Sequence, residues 1–418
     1  MVALALLGIA GAALAYYQLR INNRPEGALD TDLVGVSVET AAEPAPTTAE
    51  TETGTTTGEE NPTPPETCWN LFGGNPQRTL SRPDIRLGKP TKVLWERRFR
   101  WIIEYPPTFC DGELYVNLQG GATLALNART GRILWRRVPG GTASSPAIYG
   151  SLLIVSSHDG TVTAYRRENG RKVWRVRTAG KVESSPVVVG GTAYFGSTDG
   201  RVFAVDADRG SVRWAYDTGG RINSSPSIYG RRLCISTYTG AVFCLDRDDG
   251  SKLWSTYVKR NALSYESFYA SASTDGERVY TTSRAGKLVA FSATSGRVVW
   301  TYQMGQLGYA TPAIARGRIY VGTFDGQLRS LRATDGNVIW STPIGGEMLG
   351  PAVVVGDLVF AATLRGNAVG IRASDGKIVW RFSHGRYSPG IATDRHYYFS
   401  LGKKLFAFRA ERSPKEPS

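Results

Sequence analysis

The sequence has little of what metal centres and covalent catalysis draw on. Among 418 residues there are three His, three Met and four Cys, with no adjacent Cys pair, no C-x-x-C and no C-x-x-C-H. Zinc-ribbon and c-type haem sites are thereby excluded. His158, His384 and His396 stand far apart and in unlike sequence settings, which argues against a three-His site. No Walker-type glycine loop occurs, so a nucleotide cradle of that kind is absent. Lys and Arg are missing from residues 25–67, which carry ten acids. Long apolar runs are scarce: the uncharged, mostly apolar stretch Val2–Tyr17 would span about 24 Å of a roughly 30 Å hydrocarbon core. What is abundant is glycine, 48 residues, which favours many tight turns over long helices. With 41% hydrophobic and 21% charged residues the chain can bury a core, and wholesale disorder is excluded.

Charge and composition divide the chain into four parts. Residues 1–19 read as a signal anchor or transmembrane helix; a cleaved signal ending at Ala13-Leu14-Ala15 and a buried core segment are the alternatives. No Cys closes the apolar run, so lipoprotein attachment is not expected. Residues 20–67, acidic and rich in Thr, Pro and Glu, read as a disordered stalk, 68–412 as the folded body and 413–418 as a tail. Arg20 and Arg24 follow the apolar run and vote for a cytoplasmic body, but the stalk and the even cysteine count favour an extracytoplasmic one on a single-pass membrane protein. With net charge +14 overall and the acids concentrated in the stalk, residues 68–418 carry +22. Such a body attracts anions. A Cys68–Cys110 bridge would pin the start of the body to its first repeat. Cys234 and Cys244 flank the turn Tyr238-Thr239-Gly240 and would face one another across a hairpin, either bridged or as two small buried residues.

The dominant signal is an internal repeat. Trp occurs at 95, 135, 174, 214, 254, 300, 340 and 380, at spacings of 40, 39, 40, 40, 46, 40 and 40. Each closes a phrase A-x-D-x-x-x-G-x-x-x-W, fullest as Ala204, Asp206, Gly210 and Trp214. A small residue before Pro opens the unit, as at Ser145-Pro146, Ser185-Pro186, Ser225-Pro226, Thr311-Pro312, Gly350-Pro351 and Ser388-Pro389. Turn residues cut each unit into four short strands apolar on both faces, the size of one propeller blade. After Trp380 three strands remain without a fourth, while Lys92–Glu96 is left over at the other end. The fold expected is therefore all-β, an eight-bladed propeller closed by the N-terminal strand. Seven blades with unpaired ends is the alternative. The eight Trp are structural, each burying its ring between blades.

The phrase resembles the tryptophan-docking repeat of the pyrroloquinoline-quinone-type propellers over nearly all of residues 69–410, and Trp69–Thr79 looks like that family's lead-in segment. The family holds quinone-dependent dehydrogenases and non-enzymatic members such as the lipoprotein of the outer-membrane β-barrel assembly machinery; the latter branch is the nearer match. The resemblance implies, for the enzymes, quinone with calcium, an Asp base and often a vicinal disulfide. Here no vicinal pair exists, and the candidate acids Glu104, Glu183, Glu266 and Glu347 are expected to be single carboxylates on loops, without a second acidic residue nearby to make a hard-cation cage. Neither quinone nor calcium is expected, and no catalytic or metal-binding residue is assigned.

A ligand would meet the loops that join one blade's last strand to the next blade's first. These hold Arg98, Arg100, Trp101 and Tyr105; Lys181; Arg221 and Asn223; Lys259, Arg260, Tyr265, Phe268 and Tyr269; Tyr309; and Arg386 with Tyr387. Of these, Trp101, Lys181, Arg221, Lys259, Arg260, Tyr265, Tyr309, Arg386 and Tyr387 are the candidate binding residues. The 46-residue spacing places about six extra residues around Asn261–Phe268, where function prefers to settle. Cations beside aromatics suit a protein partner or an anionic envelope polymer. The expected function is a non-catalytic, membrane-anchored, extracytoplasmic scaffold, monomeric and without specific nucleic-acid binding. The alternatives are a quinoprotein oxidoreductase and non-specific polyanion binding.

Overall fold

The structure, a computed structural model, describes residues 68–142, 144–305, 307–384 and 390–412, and the backbone of Val38–Thr40. All lie in the second of two units, Val36–Ser418; the first, Met1–Gly35, falls outside the described residues, as do the anchor reading of 1–19 and the tail 413–418. No helix among the described residues is long and apolar enough to cross a membrane.

The repeats fold into eight blades of four antiparallel strands each, all β as the spacing predicts, and Ser81–Arg82 adds a strand parallel to Val353–Val355 at the inner edge of the seventh sheet. Blade 1 runs from Thr108 to Arg137, blade 2 from Ala147 to Arg177, blade 3 from Val187 to Asp217 and blade 4 from Ser227 to Tyr257. Blade 5 runs from Ser273 to Gln303, blade 6 from Ala313 to Pro343 and blade 7 from Val353 to Phe382. Blade 8 joins both ends of the described body: Ile391–Ala392, His396–Leu401 and Lys404–Arg412 from one side, and Leu87–Arg98 as the outermost strand from the other. Pairing of Trp95 with Ala407 and Arg97 with Leu405 removes the open edge of the ring. Of the segment read as a stalk, Val38–Thr40 forms a fifth strand on the outer edge of blade 2, Thr40 opposite Trp174.

The tryptophan phrase has a physical explanation at each blade junction. Trp174 is fully buried; its Nε1 donates to Ala207 O of the next blade at 2.9 Å. Its ring lies against Gly210, where φ is +77° and a Cβ would stand 2.8 Å from Cγ. The same bond joins Trp95 to Ala128, Trp135 to Arg167, Trp214 to Arg247, Trp254 to Ala293, Trp300 to Ala333 and Trp340 to Ala373, at 2.6–3.0 Å. Glycine is required because the ring occupies the space a side chain would need. Trp380 is the exception. Its neighbour is blade 8, whose last two strands come from opposite ends of the chain, so no turn with a docking glycine connects them. There the ring packs edge-on against Phe399 and Phe408, at 5.7 and 5.9 Å.

The lead-in segment closes the central channel. Carbonyls of Asn70, Pro76, Gln77, Thr79 and Leu80 accept from the backbone amides of Ile148, Ile228, Thr274, Ile314 and Val354, on the innermost strands of blades 2, 4, 5, 6 and 7. Trp69 pairs with Phe109 of blade 1. Inner-strand amides that would face an open channel are thereby satisfied. Arg78 is fully buried in this plug and donates to the carbonyls of Phe72, Ser185 and Pro226 at 2.7, 2.7 and 2.5 Å. Burial pushes its guanidinium down to about 9, and it remains charged at neutral pH. Two disulfides complete the fold, Cys68–Cys110 between plug and blade 1 and Cys234–Cys244 across the central strands of blade 4.

Candidate functional site

The rim is built by one contact that recurs in six of the eight blades, where the turn between the second and third strands leans on the loop that enters the blade. The backbone amides of Gln119, His158, Thr198, Tyr238, Arg284 and Leu364 donate to the carbonyls of Ile102, Gly141, Lys181, Arg221, Ser267 and Glu347, at 2.6–2.9 Å. Beneath it runs a belt of serines: Ser145 N donates to Ser185 Oγ, Ser185 N to Ser225 Oγ and Ser225 N to Ser271 Oγ, at 3.0, 2.9 and 2.9 Å. The recurring Ser-Ser-Pro steps are therefore blade-to-blade fasteners. Two positions before the belt serine stand Glu183, Asn223 and Tyr269 in blades 3, 4 and 5, and Glu104 and Tyr309 hold the equivalent place before Pro106 and Thr311 in blades 1 and 6.

These side chains meet although their blades are not all neighbours. Glu183, buried, accepts from Asn223 Nδ2 at 2.6 Å and from the Tyr269 hydroxyl at 3.2 Å. The Tyr269 and Tyr309 rings meet edge-on at 5.7 Å, and Tyr309 packs on Phe324 at 6.1 Å. Asn223 Oδ1 is buried with no hydrogen-bond partner among the described residues. Burial, helped by the charge of Glu183, pushes the Glu104 carboxyl up to about 7. This corrects the sequence expectation for Glu104, which has a second acid, Glu183, near enough for its charge to be felt. Glu266 and Glu347 do stand apart, paired with Lys287 and Arg365 at 2.8 and 2.9 Å. Burial also lowers the His158 pKa, so the imidazole is neutral at pH 7. Only Cys68, Cys110 and Asp111 cluster as three potential metal ligands on geometry among the described residues, and the two sulfurs are bonded to each other.

Of the candidate binding residues, the structure gathers some and scatters others. Arg221 lies over the Tyr238 ring at 5.9 Å, its Nε buried without a hydrogen-bond partner. Lys259, Arg260 and Tyr265 sit together on the insertion between blades 4 and 5. Tyr309 packs against Tyr269, and Lys181 is exposed on the blade 3 loop. Trp101 is 44% exposed beside Arg100, away from these, and its ring covers Gly120. Phe268 is fully buried and not on the surface. Arg386 and Tyr387 lie outside the described residues. Sequence reasoning missed Tyr238, Arg284 and Phe324, which stand two residues before the glycine of the second turn in their blades. That fixed offset was the available signal.

Comparison with known proteins agrees with this architecture. The family model described as outer membrane protein assembly factor BamB matches residues 84–270 and 239–387. The outer membrane protein assembly factor BamB of Shewanella oneidensis is 32% identical over 68 residues, 16% of this chain and 17% of that protein, so the match spans about one sixth of the relative's length. Among solved structures, the quinohemoprotein alcohol dehydrogenase of Comamonas testosteroni aligns at TM-score 0.70 and 13% identity, covering 84% of this chain and 82% of that one. BamB from Moraxella catarrhalis aligns at 0.55 and 20%, covering 71% and 98%. The computationally designed Ika8 protein aligns at 0.64 and 12%, covering 77% and 100%. At these identities the structural likenesses show the fold alone. With both matches of the family model together spanning most of the propeller, the chain belongs to the family of PQQ-like repeat propellers described as outer membrane protein assembly factor BamB.

Proposed function

We propose that the chain is a non-catalytic, protein-binding scaffold of the cell envelope, held at a membrane by its N-terminal segment and working through the propeller rim without a cofactor. The family assignment over residues 84–387 carries this reading. In support, the rim presents Arg and Tyr side chains, residue types enriched where proteins meet proteins. The propeller itself supplies rigidity, with the serine belt linking neighbouring loop bases from Ser145 to Ser271 and the plug bonded to the inner strands of several blades.

One observation favours a second reading. The charge of Glu183 reaches the Glu104 carboxyl, and Asn223 Oδ1 is buried without a partner in the same region, hard oxygens of the kind that a divalent cation such as calcium takes as ligands. Glu104 and Glu183 would hold the ion, and the chemistry it would supply is that of a Lewis acid beside a quinone cofactor. The two readings separate in one preparation. Purified full-length protein that captures an envelope protein, and releases neither calcium nor quinone on denaturation, supports the scaffold. Stoichiometric calcium and quinone, with alcohol-dependent dye reduction, would replace it by the oxidoreductase.

A further inference from the structure

The turns that join a blade's first strand to its second, and its third to its fourth, lie at the end of the strands opposite the rim. On that face, where blade 8 meets blade 1, is a cavity of about 380 Å³. Its walls include Asn127, Arg129 and Arg132 of blade 1 and Arg395, His396 and Tyr398 of blade 8, and no acid is among its lining residues. Small-molecule sites span roughly 300–1,000 Å³, so the volume suits a small ligand. Both walls are fixed. Trp95 Nε1 donates to Ala128 O at 2.9 Å and Arg97 Nη1 to Gly131 O at 3.0 Å, which seats the blade 1 turn on the closing strand. Opposite it, the amides of Arg395 and His396 donate to Thr393 Oγ1 at 3.2 and 3.1 Å, and the His396 and Tyr398 rings lie 6.1 Å apart.

Comparison with the other repeats makes the lack of acid informative. In blades 3 and 4 the turn before the last strand is held by Asp206 and Asp246. One carboxylate oxygen of each accepts backbone amides at 2.9–3.1 Å, and the other pairs with Arg213 or Arg231 at 2.7 and 2.8 Å. Blade 1 has Asn127 in that place. Its Oδ1 makes the same turn, accepting from Arg129 N, Thr130 N and Thr130 Oγ1 at 3.1, 3.0 and 3.0 Å. Where the aspartates carry a second charged oxygen, Asn127 carries the donor Nδ2, which makes no hydrogen bond among the described residues. The arginines differ in the same sense. Arg332 and Arg372, on this turn in blades 6 and 7, are held by Asp335 and Asp375 at 2.7 Å. Arg129 and Arg132 make no ion pair among the described residues, Arg395 has only Asp394 at 3.9 Å, and Asp111 of blade 1 is engaged by Arg167 at 3.1 Å. Three guanidinium groups against one carboxylate leave two positive charges, which match a phosphate monoester, about −1.5 to −2 at neutral pH. Going beyond the scaffold reading, we propose that this cavity binds the phosphate group of a monoester. Arg129 and Arg132 give charge-assisted hydrogen bonds, Asn127 Nδ2 a further donor and Arg395 charge, while Tyr398 walls the organic part. Soluble esters and lipid headgroups share this chemistry.

The test is calorimetric titration of the full-length protein in detergent with glycerol 3-phosphate and with water-soluble dihexanoyl phosphatidic acid, glycerol and succinate being the controls. At least one ester is expected to bind, and neither control. Comparable affinity for both esters assigns soluble esters as ligands, and binding of the phosphatidic acid alone assigns the lipid headgroup. Arg129→Gln with Arg132→Gln, on exposed side chains, should weaken binding about tenfold or more, as loss of charge-assisted hydrogen bonds does. Asn127→Asp, which keeps the turn as Asp206 does in blade 3, should weaken it at least as much with thermal unfolding unchanged. Arg209→Gln, on the same face in blade 3, should leave binding unaltered. No heat with either ester, succinate binding as tightly as an ester, or an equal loss in Arg209→Gln overturns the proposal. So does parental affinity in the double arginine variant or in Asn127→Asp.

Discussion

At the scale of single residues, burial decides which members of the repeat matter most. Trp174 is completely buried while Trp214, in the same phrase, is only half-buried, so the two are not equivalent. Trp174→Ala should cost about 3–5 kcal/mol in denaturant unfolding and Trp214→Ala clearly less. Gly210→Ala, which forces a positive φ on an L residue and drives a methyl into the Trp174 ring, should lose at least about 1–3 kcal/mol. Glu104 gives a pH signature. Its folded pKa, about 7, lies above the ordinary 4.5, so its contribution to stability is full below about pH 4.5 and is lost as pH rises through 7. Glu104→Gln should flatten the melting-temperature profile across that window and leave the variant more stable than the parent above pH 7. A profile unchanged by the substitution would show that Glu104 is solvated. The tryptophans and docking glycines were legible in the sequence because they repeat; Arg78 was not, since it occurs once and its three carbonyl partners come from segments as many as 148 residues away.

At the scale of elements, the repeat announced strands, turns and blade count, while the plug came without periodicity. Trp69–Thr79 could be matched as a segment, but only the ring shows that its carbonyls serve the inner strands of several blades. The Cys68–Cys110 bridge ties this plug to blade 1 across 42 residues, and its removal should cost about 4 kcal/mol by loop entropy. The Cys234–Cys244 bridge closes only 10 residues of a hairpin already paired, and should cost about 2.5 kcal/mol. Comparing Cys→Ser pairs by urea titration checks the order of the two. The candidate site divides the same way. The length of the blade 4–5 insertion marked Lys259, Arg260 and Tyr265 as surface residues, whereas the hydrogen bond of Tyr269 to Glu183, 86 positions apart in sequence, depends on ring curvature that no linear pattern carries.

At the scale of the whole molecule, closure couples the two ends of the propeller. Leu87–Arg98 pairs with Lys404–Arg412, and the aromatic cluster of Trp380, Phe399 and Phe408 replaces the docking glycine at that seam. Deleting Lys404–Arg412 should abolish cooperative unfolding and cause aggregation, because it exposes two strand edges at once. A ring closed in this way holds its rim loops at fixed spacing, and the rim is where the scaffold is proposed to act. The most direct test is site-specific photo-crosslinking in the envelope, with the reactive residue placed at Tyr265, beside the exposed Leu263, or at Arg209 on the turn between the third and fourth strands of blade 3. A defined protein adduct from position 265 and none from 209 is the predicted result. Adducts from 209 alone, or from neither position, would contradict a scaffold that works through its rim.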